Sequence, residues 1–381
     1  MSKKLDFFTA LLRPVGYSVV KLKFGYQYKK ATDLPENYMI LSNHVTDYDP
    51  ILVGLSFPKQ MYYVASEHIT RWGWIYKLLH FLFEPIIRYK ATVAASTVMD
   101  ILRKVRKGGN VCIFAEGVRT WDGVTGPVVP ATAQLVKSAR CGLVTYRIEG
   151  GYFASPNWAS SGNTRRGRLY GSPVGIYTKE DLAKMSVEEI DEIIKRDLHE
   201  DAYARQMTEM LPYRSKKLAE GMESLVFLCP KCRAHNTLTS KKDTVTCSAC
   251  GHSFTYDKYG MLHGIDYKTV YDLNQWQRQE LAKDVANGIT YTVPEAYLFT
   301  IEGHELKEVS RNAAQITNEA ITIGDTVIPL SSISDMGMHG RRTLIFSTTD
   351  NYYELKVPKE KNIIQFMYYR EFAKAKTEEK V

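Results

Sequence analysis

The chain has 381 residues, of which 44% are hydrophobic and 24% are charged, a composition that excludes fibrous and largely disordered proteins. A chain of this length predicts two domains with additional small modules. The net charge is +8, and most of the excess is local, because residues 1–30 hold seven Lys and Arg but only one acid. A basic first segment before a nearly neutral remainder indicates an anionic partner surface, either lipid or nucleic acid.

The first segment is amphipathic rather than membrane-spanning. The sequence has no run of 18 or more apolar residues and no secretion signal, so we expect a cytoplasmic protein. Apolar residues recur at helical spacing between Asp6 and Phe24, and Pro14 is predicted to begin a second helical segment. Such a segment can lie in a membrane interface or dock on the core with its basic residues solvated, and its spacing does not distinguish the two.

Strand-like and helix-like stretches alternate in the next part of the chain, which predicts an α/β domain. Residues 179–224 are charged and helical, with Ser186 and Glu189 spaced as a capping box, and predict a helical connector. The predicted elements before the connector are strands at 38–42 and 61–65, a helix at 72–83, a strand at 85–88, a helix at 93–106, and strands at 111–115, 142–148 and 168–177.

A histidine and two aspartates follow the first predicted strand, in the segment LSNHVTDYDP at residues 41–50. A neutral imidazole takes a proton from a hydroxyl when a carboxylate on the other ring nitrogen fixes its tautomer. Asp49 is spaced to reach back to His44, and Asp47 is a competing carboxylate that spacing does not exclude. The alternative is a structural hydrogen-bonded pair without a chemical role.

The segment VCIFAEGVRT at residues 111–120 is typical of a buried strand followed by a polar turn. A glycine turn past a strand end exposes backbone N–H groups, and a guanidinium beside it can bind a phosphate through two hydrogen bonds. Gly117 and Arg119 are spaced for such a site, and Arg88 leaves another predicted strand in a similar way. The alternative is an ordinary surface ion pair between Glu116 and Arg119.

Together the two segments resemble the glycerolphosphate and lysophosphatidic acid acyltransferases. The first block of this family, Asn-His followed by four residues and Asp-Pro, corresponds to residues 43–50. The third block, Phe-Pro-Glu-Gly-x-Arg-Ser/Thr, corresponds to residues 114–120, with Ala115 in place of the usual Pro. The fourth block, usually similar to Val-Pro-Val, reads VTYR at residues 144–147. The two matching blocks stand in the family's order, and the resemblance covers residues 37–177.

The resemblance implies an α/β core with a mixed sheet flanked by helices, and an acyl transfer reaction. By this resemblance His44 removes the proton from an acceptor hydroxyl, Asp49 orients His44, and the hydroxyl attacks the thioester of acyl carrier protein or coenzyme A. The expected acceptor is a lysophospholipid, 1-acylglycerol 3-phosphate, which gives phosphatidic acid in phospholipid biosynthesis. The residues expected to bind this acceptor, mainly through its phosphate, are Asn43, Arg88, Glu116, Gly117, Arg119 and Thr120.

No acyl-enzyme and no catalytic cofactor are expected, because the thioester is already activated and needs only a positioned base and an anion site. Cys112 lies inside a predicted strand and Cys141 has no motif around it, so we interpret both as buried thiols.

The other four cysteines form two close pairs, Cys229 with Cys232 and Cys247 with Cys250, fourteen residues apart. The intervening residues suit a short β-hairpin, so four thiolates can surround one Zn²⁺. We interpret this segment as a zinc ribbon whose metal is structural, because four thiolates leave no open coordination position. The ribbon gives a rival hypothesis, an adaptor or nucleic-acid-binding protein with a degenerate acyltransferase core. Nucleic acid is not expected as a partner, because the ribbon lacks aromatic interleaving suited to base stacking.

After the ribbon, a helix at 276–285 precedes short alternating runs that predict a small β-meander closed by a helix from Asn362. The runs lie at 320–323, 327–330, 343–347 and 352–357. This region resembles a pleckstrin-homology-like or GRAM-like domain with a regulatory or membrane-docking role.

The predicted protein is a peripheral enzyme on the cytoplasmic face of an anionic membrane. Its predicted parts are a basic amphipathic anchor (1–30), the acyltransferase core (31–178), a helical connector (179–224), a zinc ribbon (225–258), a helical linker (259–290) and a β-rich PH/GRAM-like domain (291–381).

Overall fold

The computed structural model describes residues 3–88, 95–302, 305–358 and 361–378. The chain divides into two compact units. The first unit comprises residues 1–156 and 164–214, and the second comprises residues 157–163 and 215–381.

The first unit is an α/β structure in which helices and strands alternate along the chain. Its helices are α1 (Lys3–Phe24), α2 (Asp49–Ser56), α3 (Trp74–Phe83), α4 (Ala95–Arg106), α5 (Thr132–Ala139), α6 (Gly151–Ala154), α7 (Lys179–Lys184), α8 (Val187–Leu198) and α9 (Ala202–Glu209), with a 3-10 helix at Glu67–Trp72. Its strands are β1 (Tyr26–Tyr28), β2 (Tyr38–Ser42), β3 (Met61–Ser66), β4 (Ile86–Arg88), β5 (Asn110–Phe114), β6 (Gly142–Glu149) and β7 (Leu169–Tyr177).

These seven strands of the described residues form one mixed sheet in the order β1-β7-β6-β2-β5-β3-β4. Strand β7 runs antiparallel to β6, and the other neighbouring strands are parallel. Every residue of the central strand β2 is buried, as expected for a parallel strand covered on both faces. Because β2 and β5 are adjacent and parallel, with Ser42 opposite Phe114, their carboxyl ends bring the two sequence motifs to one edge of the sheet.

Helix α1 continues through Pro14, so the predicted start of a second helix at that residue is wrong. A proline inside a helix removes a backbone hydrogen bond and costs about 3 kcal/mol. Packing offsets this cost, because Val20 and Phe24 are fully buried and Arg13 donates a hydrogen bond of 2.6 Å to the carbonyl of Phe57.

The predicted strands agree with the observed ones to within one or two residues, whereas β1, α2, α5 and α6 of the first unit are absent from the prediction. The helix predicted at 72–83 is observed as α3 from Trp74, and Trp72 instead ends a 3-10 helix, because Gly73 between them has a positive φ of 59°. The helix predicted at 93–106 is observed from Ala95, and residues 93 and 94 lie outside the described residues.

The second unit combines two antiparallel sheets with two helices. Its strands are β8 (Leu238–Lys241), β9 (Thr244–Cys247), β10 (Ser253–Tyr256), β11 (Leu262–His263), β12 (Tyr291–Glu302), β13 (Glu305–Ile316), β14 (Ala320–Ile323), β15 (Thr326–Pro329), β16 (Asp335–His339), β17 (Thr343–Ser347) and β18 (Tyr352–Lys356). Its helices are α10 (Val270–Ala286) and α11 (Ile364–Glu378), with 3-10 helices at Met222–Ser224 and Leu330–Ser332.

The larger sheet of this unit has the order β15-β14-β13-β12-β18-β17-β16 among the described residues. Strand β12 therefore lies at the centre and pairs with both β13 and β18. The expected simple meander is wrong in this respect, because β15 and β16 follow each other in the chain but lie at opposite edges of the sheet. The twelve-residue strands β12 and β13, which precede the short runs recognised in the sequence, lie between them. The smaller sheet, in the order β11-β10-β9-β8, lies next to the paired cysteines in the chain.

Candidate active site

The loop after β2 places His44 beside the first turn of α2. Nδ1 of His44 lies 2.8 Å from Oδ2 of Asp49. Asp47, the competing carboxylate, is exposed and instead pairs with Arg119 at 3.0 Å. The structure therefore brings Asp49, and not Asp47, to the imidazole.

Asp49 is fully buried, and its carboxylate accepts several hydrogen bonds. Its carboxylate accepts hydrogen bonds from the backbone N–H of Val45 at 2.7 Å and from the N–H and hydroxyl of Thr46 at 2.9 and 2.6 Å. Asp49 also begins α2, where the helix N-terminus favours a negative charge. Because this carboxylate accepts from its neighbours, it holds a proton on Nδ1 of His44 and leaves the lone pair of the neutral ring on Nε2.

The imidazole is fixed by packing as well as by hydrogen bonding. Its ring stacks on Phe114, the last residue of β5, with ring centroids 4.6 Å apart and planes 22° apart. The side chain of His44 remains 23% exposed, so part of the ring is accessible to a substrate. Phe114 is the first residue of the block at 114–120, but its stacking against His44 was not predicted from the sequence.

Glu116 ties the two motif loops together. Its carboxylate accepts the backbone N–H of His44 at 2.7 Å through Oε1 and the backbone N–H of Gly126 at 2.7 Å through Oε2. Burial raises the pKa of Glu116 to about 7, although both N–H groups lower it. Both oxygens have partners within the protein, so in this structure Glu116 orders the His44 loop.

Arg119 spans the mouth of the site. Its Nε donates to the carbonyl of Val45 at 3.1 Å, its Nη1 contacts Asp47, and its Nη2 donates to the carbonyl of Ser155. The Arg119 side chain is 13% exposed, whereas Asp47 is 79% exposed. The ion pair with Glu116 considered from the sequence is replaced by one with Asp47. Ser155 has no local sequence signal, because it lies 36 residues away.

Gly117 and Arg88 meet at the end of β5. Gly117 has a φ of +70°, and a Cβ there would lie 3.2 Å from Nη1 of Arg88, so this turn requires glycine. The Thr120 hydroxyl donates to the carbonyl of Val124 at 2.6 Å. Strands β4 and β5 thus bring a guanidinium and a glycine turn to the same place.

Asn43 lies behind the site and is fully buried. Its amide donates to the carbonyl of Ile148 at 2.9 Å and accepts from the N–H of Ile148 at 2.8 Å. Asn43 thus extends the pairing of β2 with β6 beyond the last strand residue and fixes the direction in which His44 leaves the sheet.

Both isolated thiols are buried. Burial raises the pKa of Cys141 to about 11 and raises the pKa of Cys112 further above its usual range. A thiol held in its protonated form is a weak nucleophile. These two cysteines therefore fit the predicted role of packing residues.

Comparison with protein families connects this geometry to a known class of enzyme. The acyltransferase family model matches residues 26–149, a segment that runs from the first residue of β1 to the last residue of β6 and contains both motifs. Residues 26–149 are an acyltransferase-family domain. The structure confirms the predicted α/β core, and the family match confirms the resemblance to acyltransferases predicted from the two motifs.

Two solved structures are each similar to a part of this chain. One is the 1-acyl-sn-glycerophosphate (LPA) acyltransferase PlsC from Thermotoga maritima, with 15% identity, a TM-score of 0.42, and coverage of 53% of this chain and 80% of that one. The other is the N-terminal PH domain of human ARAP2, with 15% identity, a TM-score of 0.18, and coverage of 23% of this chain and 76% of that one. No curated protein matches the chain.

The second unit carries a group of four cysteines that could hold a metal ion. The ligand sulfurs of Cys229, Cys232, Cys247 and Cys250 lie within 4.8 Å of one another. Sγ of Cys229 is 3.8 Å from Sγ of Cys250, and Sγ of Cys232 is 3.8 Å from Sγ of Cys247. Tetrahedral zinc with Zn–S bonds of about 2.3 Å requires neighbouring sulfurs about 3.8 Å apart. The donor set therefore fits zinc in both chemistry and spacing.

Proposed function

We propose that this protein transfers a fatty acyl group from acyl-CoA or acyl carrier protein to the free hydroxyl of 1-acylglycerol 3-phosphate, giving phosphatidic acid. The observation that carries the proposal is the buried Asp49 carboxylate on Nδ1 of His44, inside an acyltransferase-family domain. This arrangement leaves the lone pair of the neutral ring on Nε2, where it can accept a proton, and requires no nucleophile from the protein.

In the proposed reaction, Nε2 of His44 takes the proton of the acceptor hydroxyl as the hydroxyl oxygen bonds to the thioester carbonyl carbon. The tetrahedral intermediate collapses, the C–S bond breaks, and the departing thiolate takes the proton back from the imidazolium. Asp49 stabilises the imidazolium formed in between and keeps the ring in one tautomer. The products are the ester and the free thiol, and His44 returns to its neutral form.

The acceptor phosphate would bind between Arg88 and Arg119. Arg88 lies beside the Gly117 turn. Arg119 is anchored through its Nε to Val45, and its Nη1 contacts the highly exposed carboxylate of Asp47. A phosphate can replace an exposed carboxylate on a guanidinium because both accept the same pair of hydrogen bonds. In this proposal Glu116, Asn43 and Thr120 hold the loops, and the two arginines contact the phosphate.

The membrane contact would be made by α1 and α3. No helix in the described part of the chain is long and apolar enough to cross a membrane. These two helices nevertheless share an exposed apolar surface: Phe7, Leu11, Val15, Val19 and Leu22 on α1, and Trp74, Ile75, Leu78 and Phe81 on α3.

The rings of Phe8 and Phe81 lie 5.5 Å apart and join the two helices. The last turn of α1 adds the basic residues Lys21 and Lys23. An exposed apolar stripe with basic residues at its end suits the headgroup region of an anionic bilayer. We therefore propose peripheral binding to the anionic, cytoplasmic face of the membrane, where the lysophospholipid acceptor resides.

An acceptor panel tests the proposed reaction. Purified protein is incubated with labelled acyl-CoA or acyl carrier protein and with lysophosphatidic acid, lysophosphatidylcholine or glycerol 3-phosphate in anionic vesicles. We expect labelled phosphatidic acid from lysophosphatidic acid. A clear preference for lysophosphatidylcholine would contradict the phosphate site. Absence of transfer to every acceptor, with folded and zinc-loaded protein, would favour the adaptor hypothesis instead.

A further inference from the structure

Helix α2 is a short element that carries one half of the His44–Asp49 pair. Asp49 is its first residue, and the helix ends seven residues later at Ser56. An eight-residue helix has little stability of its own, so its position depends on the groups that hold it. Any shift of α2 along or about its axis moves the Asp49 carboxylate relative to His44.

Helix α1 contacts α2 at both ends and in the middle. At the carboxyl end of α2, the guanidinium of Arg13 donates to the carbonyl of Phe57 at 2.6 Å and to that of Gly54 at 3.5 Å. In the middle, a Cβ at Gly16 would lie 3.2 Å from Cγ2 of Ile51, so the side chain of Ile51 packs closely against the backbone of α1 at this glycine.

The contact at the amino end of α2 involves the residue directly before Asp49. The ring of Tyr48 packs edge-on against Phe24 with centroids 5.2 Å apart, and Nζ of Lys23 lies 5.2 Å from the centre of the same ring. Helix α1 therefore holds both ends of α2, one through a charged hydrogen-bond donor and the other through an aromatic contact.

Arg13 supplies the charged hydrogen-bond donor among these contacts. The last carbonyls of a helix lack intrahelical donors and carry the negative end of the helix dipole. A guanidinium at this position satisfies the carbonyls and complements the dipole. Arg13 is half-buried, which lowers the screening of the interaction by solvent. Its loss would leave the end of α2 without this donor.

We infer that α1 sets the position of α2 and thereby orients the His44–Asp49 pair, with Arg13 as the positioning residue. Arg13 touches neither the reacting atoms nor His44, and acts through the eight residues of α2. The inference rests on the proposed function for its catalytic consequence. Its structural consequence, the fixed tautomer of His44, stands independently of any reaction.

The test compares Arg13→Met with the wild type by the nitrogen chemical shifts of the His44 imidazole, which report the tautomer directly. We expect the wild type to hold the proton on Nδ1, and we expect Arg13→Met to show a mixture of the two neutral tautomers. In the acyl transfer assay we expect kcat to fall roughly tenfold with KM unchanged, because a small displacement of a base affects the chemical step. Arg13→Lys should restore part of both signals.

Thr9→Val is the matched control. Thr9 lies on the same helix and donates a 2.6 Å hydrogen bond to Gln60, beyond the end of α2, so its loss should leave the tautomer and kcat unchanged. If Arg13→Met does not fold, Gly16→Val decides the matter, because its side chain pushes α1 away from Ile51 and should shift the tautomer in the same direction.

Wild-type tautomer populations in a folded Arg13→Met or Gly16→Val variant would overturn the inference, whatever the activity. Absence of acyl transfer by the wild type would remove the proposed function, while the tautomer comparison would still decide the role of Arg13.

Discussion

Glu116 is a buried carboxyl that bridges the His44 loop to Gly126, and its ionisation is linked to folding. Burial raises its pKa from the ordinary 4.5 to about 7. The folded protein therefore binds this proton more tightly than the unfolded chain, and the free energy of unfolding falls as the pH rises from about 4.5 to above 7. The full effect is roughly 3 kcal/mol.

We expect Glu116→Gln to remove this pH dependence from the first unit. The wild type should be the more stable protein near pH 5, where Glu116 is largely protonated, and its advantage should shrink or vanish near pH 8. Hydrogen exchange in increasing urea measures the stability of the first unit separately, through peptides from β2 and β5. Parallel stability curves for the two proteins between pH 5 and pH 8 would contradict the account.

The residues of the site differ in how well the sequence predicts them. His44 and Asp49 are five residues apart, so the pair is a local feature of one turn. The choice between Asp47 and Asp49 depends on where α2 begins, and this short helix has no periodic pattern long enough to recognise. The bond between Asn43 and Ile148 spans 105 residues, a distance over which a single sequence carries no pairing signal.

At the scale of elements, α1 has two faces with different tasks. One face contacts α2, which agrees with the interpretation of the first segment as a helix docked on the core. The other face exposes large apolar side chains, which is compatible with the interpretation as a membrane-interface helix. The sequence predicts the helix from its spacing but not its continuity through Pro14. The tertiary contacts of Arg13 and Phe24 on either side of this proline override its local preference.

We expect Leu11→Glu to weaken binding to anionic vesicles at least tenfold, because it places a charge in the apolar stripe of α1 where Leu11 is 59% exposed. Vesicle co-sedimentation measures the partition. Val327→Glu, at a position that is 61% exposed in the second unit, is the matched control and should bind as the wild type does. Equal binding by both variants would show that α1 does not meet the membrane.

The ribbon segment is bonded to a neighbouring helix of its own unit. Gln277 of α10 accepts the N–H of Phe227 at 3.0 Å and donates to the carbonyl of Leu225 at 3.0 Å, directly before Cys229. Four thiolates brought together without a metal repel one another, so a structural zinc contributes directly to folding. The metal should therefore stabilise not only the cysteine loops but also neighbouring parts of the second unit.

We expect one zinc per chain by elemental analysis, and we expect Cys229→Ser or chelation to remove it. Amides of β8, β9 and β10 should then lose protection from hydrogen exchange, while those of β2 and β5 in the first unit keep theirs. Cys141→Ala, which alters a buried thiol outside the group, should retain the metal. Full zinc content in Cys229→Ser would contradict the four-cysteine site.

At the scale of the whole molecule, the division of the chain is the feature that sequence analysis could not predict. Residues 157–163 belong to the second unit although they interrupt the first. Trp158 in this segment is fully buried, with its ring 5.5 Å from that of Tyr256, and the N–H of Ser160 donates to the carbonyl of Glu220 at 2.8 Å. Such long-range packing leaves no periodic or compositional boundary in the sequence.

The proposed function rests on the first unit, and the proposed chemistry depends on a single proton acceptor. The acyltransferase-family match covers both motifs, and the geometry adds the carboxylate that fixes the tautomer of His44. In the proposed reaction, acyl transfer therefore fails without His44, whichever hydroxyl acceptor the protein prefers.

The most direct test is the rate of acyl transfer by His44→Ala beside a matched histidine variant, His263→Ala. His263 is exposed and pairs with Asp257 in the second unit, so its loss should leave the rate unchanged. Removal of a general base lowers kcat by roughly a hundredfold or more, and we expect this loss in His44→Ala with folding and zinc content intact. A rate near that of the wild type in His44→Ala would contradict the account.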